Sequence, residues 1–156
     1  MSHNVLIKGI AFTNLALVEK AVQELISEGA RVSFAIGTLG KPVFIRGWRG
    51  AKETVDAAIH NLDGQYDIGL RLDPKTGKYS IVTESMLHSS PIGAAQDALT
   101  VEGDVCCRVD HAATIAGKLS QRYNILQDEQ TARSLGYSTR RIFGKAGVIS
   151  LEATQL

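Results

Sequence analysis

Apolar residues open the chain as a run, Val5-Leu6-Ile7 through Ile10 and Phe12, and then give way to Thr13-Asn14, whose side chains suit a helix N-cap. The pattern predicts a strand that leads into a helix. From Leu15 the period lengthens: Leu15, Val18, Val22 and Leu25 recur at three and four residues, polar Glu19, Lys20, Gln23 and Glu24 fall between them, and Gly29 supplies a stop. Val32, Phe34 and Ile36 then alternate with smaller residues. After the turn-rich stretch from Gly37 to Pro42, Val43-Phe44-Ile45-Arg46 resumes the β character, which predicts a hairpin-like pair. Val55, Ala57 and Ile59 continue the period of two, and Asn61-Leu62-Asp63-Gly64 interrupts it. Tyr66, Ile68, Leu70 and Leu72 resume it, Asp73-Pro74-Lys75-Thr76-Gly77 is a strong turn, and Tyr79, Ile81 and Thr83 return. Residues 31–84 are therefore expected to form one antiparallel meander.

The pattern weakens over 85–103, a stretch expected to be an insertion or loop, with Ser90-Pro91 able to start a short helix over Ile92 to Leu99. A second long helix is expected from near Asp104 to about Gly136, with Val105, Val109, Ala112, Ala116, Leu119 and Tyr123 on one stripe. Tyr137 to Phe143 and Val148 to Leu151, joined through Gly144-Lys145-Ala146-Gly147, predict a terminal hairpin. This order of elements reads as α+β: an antiparallel meander sheet packed by two long helices, with a C-terminal β-hairpin, in a single domain over 1–156.

Composition narrows the class. At 156 residues, 44% hydrophobic and 21% charged, the chain has the make-up of a folded globular protein rather than a disordered one. Seventeen basic against sixteen acidic residues leave a net charge of +1, so attraction to nucleic acid or anionic lipid would have to come from a local patch. The apolar runs are short and the first residues lack the pattern of a signal peptide, so neither a membrane span nor export is expected. The two cysteines, Cys106 and Cys107, are adjacent and read as reduced thiols in a reducing compartment.

Candidate chemistry is sparse. Ala35-Ile36-Gly37-Thr38-Leu39-Gly40-Lys41 approaches a phosphate-binding loop, but Pro42 stands where a magnesium-binding hydroxyl is needed, and Val43-Phe44-Ile45 reads as strand where a helix should receive the phosphates. The four histidines, His3, His60, His88 and His111, lie in separate segments without a paired metal-binding spacing, and no cofactor is expected. Cys107 and His111 are four apart, close enough on a helix for a thiol and its base, yet no oxyanion-binding element accompanies them. Arg46-Gly47-Trp48-Arg49-Gly50 is the best candidate for a contact surface, because two guanidiniums and an indole suit a phosphate, a carboxylate or a stacked base. Arg46, Trp48 and Arg49 are therefore the expected partner- or ligand-binding residues. The bland alternative is an edge strand with a bulge, Trp48 covering the core. Arg133, Arg140, Arg141 and Lys145 form a second basic cluster, which would extend the first if the fold set it beside Arg46 and Arg49.

The opening Met1-Ser2-His3 with Ile7-Lys8, the Arg46 to Gly50 stretch, Tyr66-Asp67-Ile68-Gly69-Leu70-Arg71, Gln121-Arg122-Tyr123 and Ala132 to Tyr137 are short motifs whose order and spacing span most of the chain. In these it resembles the hypothetical chloroplast reading frame thirty-five family of plastids, cyanobacteria, other bacteria and phages, which has no assigned activity. It departs from that pattern over about 84–104, where it carries extra sequence, and at Trp48, where a tyrosine or similar residue is expected. The resemblance implies a non-enzymatic accessory or adaptor protein partnering a MoxR-like AAA-type ATPase, in a cytoplasm, a plastid stroma or a phage-infected cell. The alternatives are a small nucleic-acid-binding module, a thiol- or metal-dependent enzyme built on Cys106, Cys107 and His111, and self-association through exposed sheet edges.

Overall fold

A computed structural model describes residues 4–47, 50–62, 67–84, 115–145 and 148–156, with two helices and nine strands among them. The first strand, β1 (Asn4–Phe12), leads into helix α1 (Leu15–Ser27). Asn14 caps this helix, its Oδ1 accepting the amides of Ala16 at 2.9 Å and Leu17 at 3.3 Å. The apolar stripe becomes the buried face, with Leu17, Val18, Ala21, Val22 and Leu25 all inside. At the other end the Ala30 amide reaches the Leu25 carbonyl at 2.9 Å and the Gly29 amide the Ile26 carbonyl at 3.0 Å, a Schellman closure. It requires the left-handed conformation that Gly29 adopts at φ 104°.

The strands that follow are β2 (Val32–Ile36), β3 (Val43–Arg46), β4 (Lys52–Val55), β5 (Ala57–Asn61), β6 (Ile68–Asp73) and β7 (Lys78–Glu84). A five-stranded antiparallel sheet runs in the order β1-β7-β6-β5-β2. Its consecutive strands β5, β6 and β7 are the expected meander, and Asp73 holds the β6–β7 turn by accepting the Gly77 amide on its carbonyl and the Lys75 amide on Oδ1.

The pairing of β2 differs from the expected hairpin. It lies against β5 with Phe34 opposite Ile59, while β3 pairs with β4 in a separate two-stranded sheet. The reason is burial. Strand β5 is covered on both faces, where water cannot serve its backbone, and β6 and β2 satisfy its amides and carbonyls on both edges. Ala57 and Ile59 face the helices together with Ile68, Leu70 and Ile81, whereas Ala58 and Val82 pack against Ile45 and Val55 of the β3–β4 hairpin. The result is three layers, with helices on one face of the large sheet and the small hairpin on the other. Gly69 makes the second contact close: a Cβ there would sit 2.6 Å from Val55 Cγ1 and 3.2 Å from Ile45.

Helix α2 (Ile115–Ser134) packs beside α1. Leu119 and Tyr123 of the expected stripe are buried; the start of that stripe, the helix start near Asp104 and the 85–103 segment lie outside the described residues. The Tyr123 ring meets Phe12 edge-on at 4.7 Å, and its hydroxyl accepts the amides of Thr13 at 3.0 Å and Asn14 at 3.2 Å. One side chain of α2 thus fixes the start of α1. Gly136, at φ 85°, turns the chain into the terminal hairpin β8 (Tyr137–Phe143) and β9 (Ile149–Gln155), as the sequence predicts. Among the described residues no helix is long and apolar enough to cross a membrane.

Candidate binding surface

The glycine-rich connection after β2 is a tight turn closed by reciprocal bonds between the backbones of Thr38 and Lys41, and strand β3 follows it. It lacks the helix amino terminus that a phosphate-binding loop requires.

Strand β3 alternates between its two faces. Val43 and Ile45 turn inward, while Phe44 and Arg46 turn outward beside Thr54 and Lys52 of β4. Arg46 does not end in solvent alone. Its Nε donates to Asp67 Oδ2 at 2.9 Å and its Nη2 to Oδ1 at 2.7 Å, a two-pronged grip on a carboxylate whose side chain is 0% exposed. The same Nη2 reaches the Asn61 carbonyl at 2.7 Å. Asp67 also accepts the Arg46 amide at 2.9 Å, the Asn61 amide at 2.9 Å, and His60 Nδ1 at 3.3 Å. Burial pushes the Asp67 carboxyl up, but the bonds from Arg46, Asn61 and His60 outweigh it and hold the group below the usual carboxylate range. Arg46 is raised in turn, first by its hydrogen bond to Asp67.

The guanidinium stays half in water nevertheless. The Arg46 side chain is 44% exposed. Phe44, two residues back on the same outward face, is 42% exposed. Arg46 and Lys52 stand directly opposite one another, a like-charge pairing that weakens a hairpin on its own and that Asp67 offsets beneath Arg46. The outward face of the β3–β4 hairpin is therefore an aromatic ring flanked by cations, one of them rigidly held.

Of the expected contact residues, Arg46 is placed on this face, and Trp48 and Arg49 lie outside the described residues, as do Cys106, Cys107 and His111. His60, Asn61 and Asp67 had no part in the expected site. Asp67 carried a signal in the sequence, an acidic residue opening the apolar run Ile68-Gly69-Leu70, since a carboxylate taken into a core needs a cation.

The second basic cluster sits on other elements, and its Arg140 and Arg141 are paired with carboxylates. Arg141 grips Glu129 through Nε at 2.6 Å and Nη2 at 3.1 Å, and its Nη1 reaches Glu24 of α1 at 2.5 Å. Arg140 pairs with Glu152 across the hairpin at 2.8 Å, and Arg122 with Glu28 at 2.7 Å. Hydrogen bonding to Arg141 pulls Glu129 below the usual carboxylate range against the opposing effect of burial. These bonds tie the terminal hairpin to both helices. No group of three or more histidine, cysteine, aspartate or glutamate side chains is arranged to hold a metal ion among the described residues. Comparison of the chain with protein-family models, with curated proteins and with solved structures finds no match.

Proposed function

We propose that this chain is a non-enzymatic binding or adaptor protein whose contact surface is the outward face of the β3–β4 hairpin and the connection that carries Trp48 and Arg49. The observation that supports it most is the Arg46 guanidinium, clamped by buried Asp67 yet 44% exposed and opposite Lys52. A cation already fixed in place loses little conformational freedom when a partner's anionic group meets it, and exposed Phe44 supplies the apolar contact beside it. The resemblance to the chloroplast reading frame thirty-five family makes a MoxR-like AAA-type ATPase the first partner to look for.

The test is affinity capture from the native host with the full chain, wild type against a Phe44→Ala, Lys52→Glu variant and against Trp48→Ala, Arg49→Ala. Lys52→Glu replaces a repulsive cross-strand pair by an attractive one, so the hairpin is retained while the charge of the face is altered. Loss of an ATPase or another specific protein from both variants is the expected result. Identical eluates from all three proteins would sink this reading. Capture of single-stranded nucleic acid in its place, weakening steeply with salt, would transfer the same aromatic and cationic face to a nucleic-acid-binding role.

A further inference from the structure

Strand β2 ends the large sheet, and of the edge strands described it alone has nothing that discourages pairing. Edge strands are commonly blunted by charge, proline or a bulge. β1, at the opposite edge, contains Lys8 and a shift of register between Ile7 and Ala11. β3 and β4 contain Arg46, Lys52 and Glu53, and β8 and β9 contain Arg140, Arg141 and Glu152. Val32-Ser33-Phe34-Ala35-Ile36 contains no charge and no proline, and its pairing with β5 runs without a break.

Two backbone bonds at its ends define which of its backbone groups turn outward. The Gly37 amide donates to Asp56 at 2.8 Å and the Leu62 amide to Arg31 at 3.1 Å. Because hydrogen-bonded and non-bonded pairs alternate along an antiparallel ladder, residues 31, 33, 35 and 37 turn their backbone groups towards β5. Val32, Phe34 and Ile36 therefore turn theirs outward.

We infer that β2 pairs antiparallel with β2 of a second copy, about a two-fold axis at Phe34, joining two five-stranded sheets into one. In this register Phe34 meets Phe34, Val32 meets Ile36, and Ser33 meets Ala35. Every outward amide and carbonyl of the three open residues then finds a partner, and no like charges oppose each other across the strands. Val32 and Phe34 already belong to the helix-side core, and Ile36, 44% exposed, stands on the same face by alternation, so the two cores become continuous. The contact is isologous and uses up the edge on both copies, so assembly closes at the dimer. It does not involve the outward face of the β3–β4 hairpin and stands independently of the proposed function.

Sedimentation equilibrium of the full chain over a concentration series tests this. The wild type is expected to form a dimer and nothing larger. Ile36→Pro deletes an outward amide and none of the β2–β5 bonds, and Ile36→Lys places a charge on the edge strand itself, opposite Val32 of the second copy. Each is expected to raise the dimer dissociation constant by about tenfold or more, equivalent to about 1.4 kcal/mol, with circular dichroism unchanged and melting unchanged at dilutions where both proteins are monomeric. Ile142→Lys, an exposed change on β8, should leave it alone. A wild type that stays monomeric throughout, or a folded Ile36→Pro that dimerises as well as the wild type, would overturn the inference. If Ile36→Pro does not fold, Ile36→Lys decides the question by itself, because Ile36 is 44% exposed and outside both core clusters.

Discussion

Replacing Arg46 by methionine keeps the side-chain stem and removes the fork on Asp67. The carboxylate retains the amides of Arg46 and Asn61 and the contact with His60, but loses two charge-assisted bonds of 2.9 and 2.7 Å, and the Asn61 carbonyl loses a third. Stripping the partner from a buried charge costs about 3–5 kcal/mol. Here the full figure is reduced, because two backbone donors remain and the vacated guanidinium position is 44% exposed and open to water. A loss of about 2–3 kcal/mol is expected, read as a lower urea midpoint at unchanged slope, or as a fall in Tm of roughly 4–12 °C. The pH dependence supplies a second reading. A carboxyl whose folded pKa is depressed contributes stability that is complete above its unfolded value, about 3.9, and is lost as pH falls through the lower folded value. In Arg46→Met burial is opposed by fewer donors, so the folded pKa of Asp67 rises, and the gap between wild type and variant should be widest above about pH 4 and close below it. A gap under about 0.5 kcal/mol at pH 7, or one that stays constant through the acid range, would refute the central role given to the fork.

Three other substitutions probe the remaining joints. Arg141→Met strands Glu129 and Glu24 beside each other and should cost about 2–4 kcal/mol in chemical unfolding at neutral pH, with the deficit shrinking in acid as the depressed Glu129 is protonated. Tyr123→Phe leaves the Thr13 and Asn14 amides without their acceptor and should lower stability by about 1–2 kcal/mol, with faster hydrogen exchange at the start of α1. Gly69→Ala drives a methyl into Val55 and Ile45 and should cost about 1–3 kcal/mol in thermal unfolding, recovered in part by Val55→Ala.

The two periods of the sequence placed the elements well, because burial on a single side leaves a clean trace. The α1 stripe, the Asn14 cap, the Gly29 stop and the β6–β7 turn all follow from local chemistry. What the pattern could not supply was the layering. Ala58 and Gly69 look like weak strand residues in one dimension, whereas in the fold their small size admits the β3–β4 hairpin on the second face of the sheet. Pairing partners depend on that second face, so the linear pattern pairs β2 with its neighbour in sequence, whereas the fold pairs it with β5. The same gap hid the ion cluster. Asp67 lies 21 residues from Arg46, and their meeting depends on the hairpin folding back over β5 and β6.

This layering also decides which experiments can separate stability from recognition. Arg46 belongs to both, since Nε and Nη2 neutralise Asp67 while the side chain stays 44% exposed, and any change at Arg46 confounds the two. Lys52 faces the same solvent from the opposing strand, and its one described cross-strand neighbour is a like charge. Stability alone gives no reason for a second cation at that position, as directly opposed like charges weaken a hairpin. A glutamate at 52 would therefore leave the fold as stable or more so while altering the face a partner meets. If binding falls as stability holds, the two cations are kept for recognition; if neither changes, the hairpin's outward face is only a solvated surface.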